Sequence, residues 1–449
     1  MRGNSSIFGA RQGCRFLVVF TLALSGGLYY FAPDILTAKI CQDCVNWYIP
    51  VAEGLAAGHE FVHPGDSAGG IAVVRPPGNS VNIFLMLKVS SVFGVERELI
   101  YWAVNTIFIC IAAVLLFLVT FHLWGETQSA LAVSVVWVTF PLLLWFLNQP
   151  YSEVPFIVCL HAAGYFFLAK LRVMRRLTLG LVVGGLLGCA ALYRPIVIGL
   201  PIVIGILSIG FGLLDRSVWR GVRLAIGLMI GAYSVIGVWS VFVWVESGEK
   251  ILITDGTLFS NSMKDGVTFG VDMRGYREGV RYPKLSPEII AFMEKMQGHF
   301  GENQVGQEID SPSANRSPPD LTSADILREI YQELSHEPLL AAKVLMLKGA
   351  RAWFGTDSNK HETQALAIMS GYGILILAAI LRGLATRVIM WRLLLIVSVI
   401  TGYFWLLSIL VLPIVRYLVP ITGLLFILLP GLWVRQVTPQ QLSLSQREV

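Results

Sequence analysis

The segment Cys41-Gln42-Asp43-Cys44-Val45-Asn46-Trp47-Tyr48 brings an acid, two aromatics and a pair of cysteines together, and continues through Gly58 to Arg75-Pro76-Pro77-Gly78. A carboxylate held beside a substrate can take the proton from an incoming hydroxyl, which is general-base chemistry. Asp43 lies about one helical turn's reach from Tyr48. The plainer reading of Asp43 is a solvated loop acid or a helix cap.

Three other sites carry polar groups of the right kind. Glu153 sits in Asn148-Gln149-Pro150-Tyr151-Ser152-Glu153-Val154-Pro155, a turn stiffened by its prolines; its simpler role is a negative charge at a helix N-terminus. Arg194 lies in Tyr193-Arg194-Pro195, and Arg416 in Pro413-Ile414-Val415-Arg416-Tyr417-Leu418-Val419-Pro420. A guanidinium is suited to bidentate recognition of phosphate. The competing role for either arginine is snorkelling to lipid headgroups.

The cysteines say less. Cys41 and Cys44 suit a local disulfide in an oxidising compartment. A zinc site would need two more ligands, and His59 and His63 follow at a spacing that fits the usual pattern poorly. Cys110, Cys159 and Cys189 lie inside apolar runs and read as small packing residues. No dedicated metal cluster and no cofactor motif is visible; a need for a divalent metal is left open.

The elements that must hold these groups are membrane helices. The chain is 55% hydrophobic and 14% charged, far below the roughly 25% charged of a soluble domain, and its mean hydropathy is +0.67. Ten apolar runs are long enough to cross a bilayer: Phe16–Ala32, Leu99–Trp124, Ala130–Leu147, Val154–Leu171, Leu177–Leu192, Ile196–Leu214, Leu224–Val245, Ala365–Leu381, Leu393–Leu412 and Leu418–Val434. The first lacks a small-residue cleavage site and reads as a retained anchor. Val81–Gly94, shorter and interrupted by Lys88, reads as an interfacial helix.

Basic residues alternate with this count. Arg2, Arg11 and Arg15, then Lys170 to Arg176, then Arg216, Arg220 and Arg223, then Arg382, Arg387 and Arg392, and finally Arg435 all fall on one side. That side is expected to be cytoplasmic, with both termini. The net charge of +5 is therefore a topology signal, and a nucleic-acid partner has no support.

The expected organisation is an N-terminal transmembrane module over residues 1–245 with an exterior loop at 33–98, an exterior region over 246–364, and C-terminal transmembrane helices with a tail over 365–449. In the exterior region, Ser286-Pro287-Glu288 reads as a helix start and Gly301–Pro319 as a flexible linker. Thr322-x2-Asp325 opens a second helix, and Pro338–Phe354 reads as an amphipathic helix returning to the bilayer.

The order of these features resembles the GT-C superfold glycosyltransferases. It comprises an acid after span one, a following Tyr and Gly, Pro-Pro-Gly before an interfacial helix, the Pro-Tyr-Ser-Glu turn, Gly184-x3-Gly188-x4-Tyr193-Arg194-Pro195, and the late Arg416-Tyr417-x2-Pro420. Within that superfold it is most similar to the bacterial protein O-mannosyltransferase-like branch, which includes lipid A aminoarabinose transferases. The resemblance implies an all-α polytopic fold with exterior interfacial helices and a small helical exterior domain, in the bacterial inner membrane. It implies an enzyme that moves a sugar, with inversion, from a polyprenyl-phosphate donor to a hydroxyl of a lipid, glycan or protein at the exterior face.

On that template Asp43 is the catalytic acid and Glu153 an auxiliary acid. Tyr48 positions the acceptor. Arg194 and Arg416, with Tyr417 beside it, bind the donor and stabilise charge on the departing phosphate. One departure is that protein O-mannosyltransferases often carry Asp-Glu where this chain has Asp43-Cys44, which weighs against a protein acceptor. The competing class is a transporter or flippase of a lipid-linked or small solute. Such proteins usually bury ionisable groups at mid-membrane, whereas the main interior polar side chains here are Asn105 and His161.

Overall fold

The computed structural model describes residues 2–31, 41, 43–64, 71–171, 173–256, 260, 262–263, 266, 288–292, 295, 323–356 and 361–434. In chain order the longer helices are α1 (Arg2–Phe31), α2 (Ile49–Ala56), α3 (Pro77–Phe93), α4 (Arg97–Trp124), α5 (Thr127–Val138), α6 (Glu153–Ala169) and α7 (Arg176–Tyr193). They continue with α8 (Leu200–Leu214), α9 (Val218–Ser247), α10 (Ser323–His336), α11 (Pro338–Arg351), α12 (Glu362–Ala385), α13 (Trp391–Leu410) and the short α14 (Thr422–Phe426). Among the described residues there is no strand, only an isolated antiparallel bridge between Val62 and Ile71.

Among the described residues, seven helical segments are long and apolar enough to cross a membrane: Gly9–Phe31, Arg97–Trp124, Arg176–Tyr193, Pro195–Leu214, Val218–Ser247, Glu362–Ala385 and Trp391–Leu410. The chain is an all-α polytopic membrane protein. Backbone polar groups have no partner in hydrocarbon, so internally bonded helices are what such a composition builds.

The chain forms two compact units, one of residues 1–254, 371–401 and 419–449, the other of 255–370 and 402–418. In the first, α7 and α9 pack through a zipper of small residues. A Cβ on Gly188 would stand 2.6 Å from the Ala232 carbonyl, and Gly180, Gly184, Gly227 and Gly231 likewise face backbone of the partner helix with no room for a side chain. Close backbone approach of this kind is how membrane helices gain packing where lipid removes the hydrophobic drive.

Two apolar runs are not the continuous helices that their length suggests. The run over Ala130–Leu147 stops as helix at Val138. Thr139 there bonds its hydroxyl back to the Val135 carbonyl at 2.9 Å, and Pro141 starts only a single turn. The run over Leu418–Val434 is split into 3₁₀ turns at Val419–Ile421 and Leu429–Leu432 around α14. Pro420 and Pro430 remove the amides a continuous helix needs. Tryptophans anchor this broken stretch: Trp124 Nε1 donates to the Ile427 carbonyl at 2.9 Å, and Trp433 Nε1 to Ser129 Oγ at 2.8 Å.

The second unit is built on α10, α11, the start of α12 and the end of α13. Of the helix expected from Ser286, residues 288–292 are helical, while Ser286, Pro287 and the Gly301–Pro319 stretch lie outside the described residues. Thr322 also lies outside them, and α10 opens at Ser323.

Candidate active site

The site forms at the end of the first unit where α7 finishes and α6 begins. Gln149 and Pro150, just ahead of α6, are tied down from three directions. Asn105 of α4 donates its Nδ2 to the carbonyls of Phe146, Leu147 and Gln149, the last at 2.6 Å. Asn79 of α3 donates to the Pro150 carbonyl at 2.9 Å, and the Cys41 amide donates to Gln149 Oε1. Buried amides used this way replace backbone partners that a turn in apolar surroundings would otherwise lack. Asn105, one of the two main interior polar side chains named from the sequence, is therefore a brace. His161 is the other; its Nδ1 lies 2.9 Å from the Ala112 carbonyl, which requires the proton on that nitrogen.

Glu153, first residue of α6, is completely buried and pairs with Arg194: Nη1 stands 2.5 Å from Oε1. Arg194 follows the last residue of α7 and is itself largely buried. Two sequence-predicted site residues, separated by 41 positions, are thus in direct contact. Fixing α7 at this height also depends on Gly78. A Cβ there would lie 2.8 Å from the Leu192 carbonyl and 3.1 Å from the Tyr193 ring, so the Pro77-Gly78 start of α3 abuts the end of α7 directly.

Asp43 lies between Cys41 and Cys44, which are joined as a disulfide with Cα atoms 5.1 Å apart. That bond takes both sulfurs out of contention as zinc ligands. Among the described residues, no three His, Cys, Asp or Glu side chains gather in a metal-binding group. The disulfide sits in a small core with Tyr48, Ala52, Ile83, Met86 and Tyr101, against which Tyr151 also packs.

Asp43 Oδ1 accepts from Arg75 Nη2 at 2.7 Å. Arg75 is one of the polar residues of the opening segment but has no assigned role in the sequence reading. Its guanidinium lies 6.0 Å from the Trp47 ring centroid, a cation–π distance, and its Nε is buried without a hydrogen-bond partner. His63 fixes the other edge of Trp47, with ring centroids 4.6 Å apart and its Nε2 on the Asn46 carbonyl at 2.8 Å.

Tyr48 is the hub. It is 5% exposed, and burial pushes its phenol up to about 12, with Asp43 adding to the rise while Arg75 and Arg194 oppose it and Glu153 contributes least. All four charged groups therefore act on one hydroxyl. The phenol stays protonated at neutral pH and serves as a hydrogen-bonding group, not a base. Asp43, Tyr48, Glu153 and Arg194 are brought together with Arg75.

Arg416 and Tyr417 belong to the second unit, in a 3₁₀ turn over Val415–Tyr417. There the Val415 amide donates to the Gly355 carbonyl at 2.8 Å, which places Arg416 beside the end of α11.

Comparison with family models, with curated proteins and with solved structures found no match to this chain.

Proposed function

We propose that the chain is a GT-C-type membrane glycosyltransferase that takes a sugar from a polyprenyl-phosphate donor at the exterior face and passes it, with inversion, to an acceptor hydroxyl. The observation that carries this reading is the convergence of two guanidinium–carboxylate pairs, Asp43–Arg75 and Glu153–Arg194, on the buried hydroxyl of Tyr48. A base and a cationic clamp in one place are what displacement of a lipid phosphate demands.

In the proposed reaction the acceptor oxygen attacks the anomeric carbon while its proton passes to the Asp43 carboxylate. The bond from that carbon to the donor phosphate breaks, and the lipid phosphate leaves with the electron pair. Arg75 moves from Asp43 to the departing phosphate, which exposes the carboxylate as the base at the moment it is needed. Arg194, held in orientation by Glu153, adds a second cation. Tyr48, neutral, donates a hydrogen bond to the substrate. General-base assistance of this sort is worth about 10²–10⁴ in rate.

The topology proposed for this chemistry has ten spans, with the termini cytoplasmic and the site outside, in a bacterial inner membrane. The number of spans is supported by the seven long apolar segments among the described residues together with the shorter ones at Thr127–Val138, Glu153–Ala169 and Val415–Phe426. The interior side chains on which a transporter reading would lean, Asn105 and His161, are engaged with backbone carbonyls.

The test is to incubate the purified protein with a panel of polyprenyl-phosphate sugars and candidate acceptors. Acceptor-dependent loss of donor and release of polyprenyl phosphate is the expected result. Relocation of the intact donor across proteoliposomes, with no cleavage of the sugar–phosphate bond, would replace the reading with transport.

A further inference from the structure

Two turns of the first unit share an uncommon build. The turn after α8 closes with the Ser217 amide donating to the Gly212 carbonyl at 2.7 Å and the Arg216 amide to the Leu213 carbonyl at 3.2 Å. The turn after α12 repeats it, the Val388 amide donating to the Gly383 carbonyl at 2.8 Å and the Arg387 amide to the Leu384 carbonyl at 3.0 Å. This pair of bonds puts one residue into the left-handed region, where glycine is the favoured occupant. Here the occupants are arginines, Arg216 at φ 52° and Arg387 at φ 56°. The same strained choice made in two separate turns is the pattern of a residue kept for its side chain.

The two turns adjoin within that unit. Arg392, second residue of α13, forks onto Asp215 at the end of α8, Nη1 to Oδ2 at 3.0 Å and Nη2 to Oδ1 at 2.5 Å. Its guanidinium lies 5.6 Å from the Phe211 ring centroid and 5.4 Å from that of Trp391. An acid at a helix C-terminus and a cation at a helix N-terminus each oppose the macrodipole, so each is placed for the other. Asp215 is thereby engaged, whereas Arg216, Arg220 and Arg387 are exposed, and their side chains have no ion-pair partner among the described residues.

This junction lies at the far end of α7 from Arg194. Gly180 and Gly188 of α7 meet Leu224 and Ala232 of α9 in the same order, so the two helices run parallel and begin at the same end. Arg176 and Arg220, one turn before the first of those contacts, are near enough for their charges to act on each other. Trp219 is 75% exposed and Trp391 53%. Exposed indoles at the ends of membrane helices mark the level of the lipid headgroups, and arginines at that level meet the phosphates of the leaflet.

We infer that the adjoining α8–α9 and α12–α13 turns bind the headgroups of anionic phospholipids, with Arg216, Arg220 and Arg387 as the contact cations and Trp219 and Trp391 holding the turns at headgroup depth. The guanidinium forks suit phosphate oxygens, and the Asp215–Arg392 pair keeps the two turns together while neutralising the acid between them. The inference does not rest on sugar transfer, because the surface is remote from Asp43, Glu153 and Arg194 and binds lipid whether or not the chain is an enzyme.

The test uses the full-length protein in a non-ionic detergent and follows thermal unfolding at constant ionic strength. Three arms add dihexanoyl phosphatidylglycerol, dihexanoyl phosphatidylcholine and inorganic phosphate. A ligand that binds only the folded state raises the melting temperature. Phosphatidylglycerol is expected to raise it for the wild type well above the other two. Arg216→Gly/Arg387→Gly relieves the backbone at both turns, so without lipid it is expected to melt no lower than the wild type, yet to bind phosphatidylglycerol about tenfold to thirtyfold more weakly. Equal rises with the two lipids overturn the anionic selectivity, and an equal rise with inorganic phosphate overturns the lipid assignment. No rise with phosphatidylglycerol, or an undiminished rise in the glycine variant, overturns the site. If that variant does not fold, native mass spectrometry of the wild type with an equimolar mixture of the two lipids replaces it: preferential retention of phosphatidylglycerol is expected, and equal retention refutes the inference.

Discussion

Arg75 Nη2 lies 2.7 Å from Asp43 Oδ1, across 32 residues of sequence, with Trp47 under the guanidinium. The pair is partly solvated, with Asp43 at 35% side-chain exposure, so it is accessible to a competing anion. A phosphate offers the arginine the same fork geometry with more charge. Arg75→Ala is therefore expected to weaken donor binding by about tenfold to a hundredfold, and Arg75→Lys, which keeps charge but loses the fork, to recover only part of it. Donor titration followed by tryptophan fluorescence measures both. Unchanged affinity in Arg75→Ala would confine this arginine to a structural role.

Glu153 and Arg194 form a pair of a different kind, with the carboxylate at 0% exposure. Removing one partner strands a buried charge, at a cost of about 3–5 kcal/mol. Glu153→Ala should lower the melting temperature sharply, and Arg194→Met in that background should restore much of it. A double-mutant cycle of unfolding midpoints reads the coupling, and additive losses would show that the two side chains do not interact.

Tyr48 supplies a pH signature. Its phenol ionises near 10 when unfolded, and burial first, then Asp43, raises it to about 12 in the fold. The folded state holds the proton more tightly, so this contribution is complete below about pH 10 and is lost as the pH rises toward 12. Wild type should lose stability across that alkaline window more steeply than Tyr48→Phe. Parallel curves for the two proteins would contradict the buried, proton-holding phenol.

The Cys41–Cys44 disulfide closes a very short loop around Asp43, and in the chain-entropy view a four-residue loop contributes only about 2 kcal/mol. Its larger effect is to orient Asp43. Cys41→Ser/Cys44→Ser is expected to shift the melting point modestly and to lower turnover more than it lowers donor affinity. Equal turnover in the reduced, oxidised and serine forms would show that the brace is dispensable.

What the sequence disclosed follows from the range of the forces involved. Apolar length and loop charge are local, so the helices and the turn before Glu153 were readable. Gly184 and Gly188 were visible as a motif, but their work is to let α7 and α9 touch backbone to backbone, which one strand of sequence cannot reveal. Arg75 was passed over because its partner lies 32 residues away at no helical spacing. The breaks at Thr139, Pro420 and Pro430 interrupt runs whose composition alone suggested continuous helices.

The central claim is that Asp43 takes the acceptor's proton. Asp43→Asn keeps the size and shape of the side chain and removes its basicity, so single-turnover transfer from a polyprenyl-phosphate sugar should fall by about 10²–10⁴ while the unfolding profile and donor affinity stay near those of the wild type. Near-normal turnover in a correctly folded Asp43→Asn protein would contradict the account.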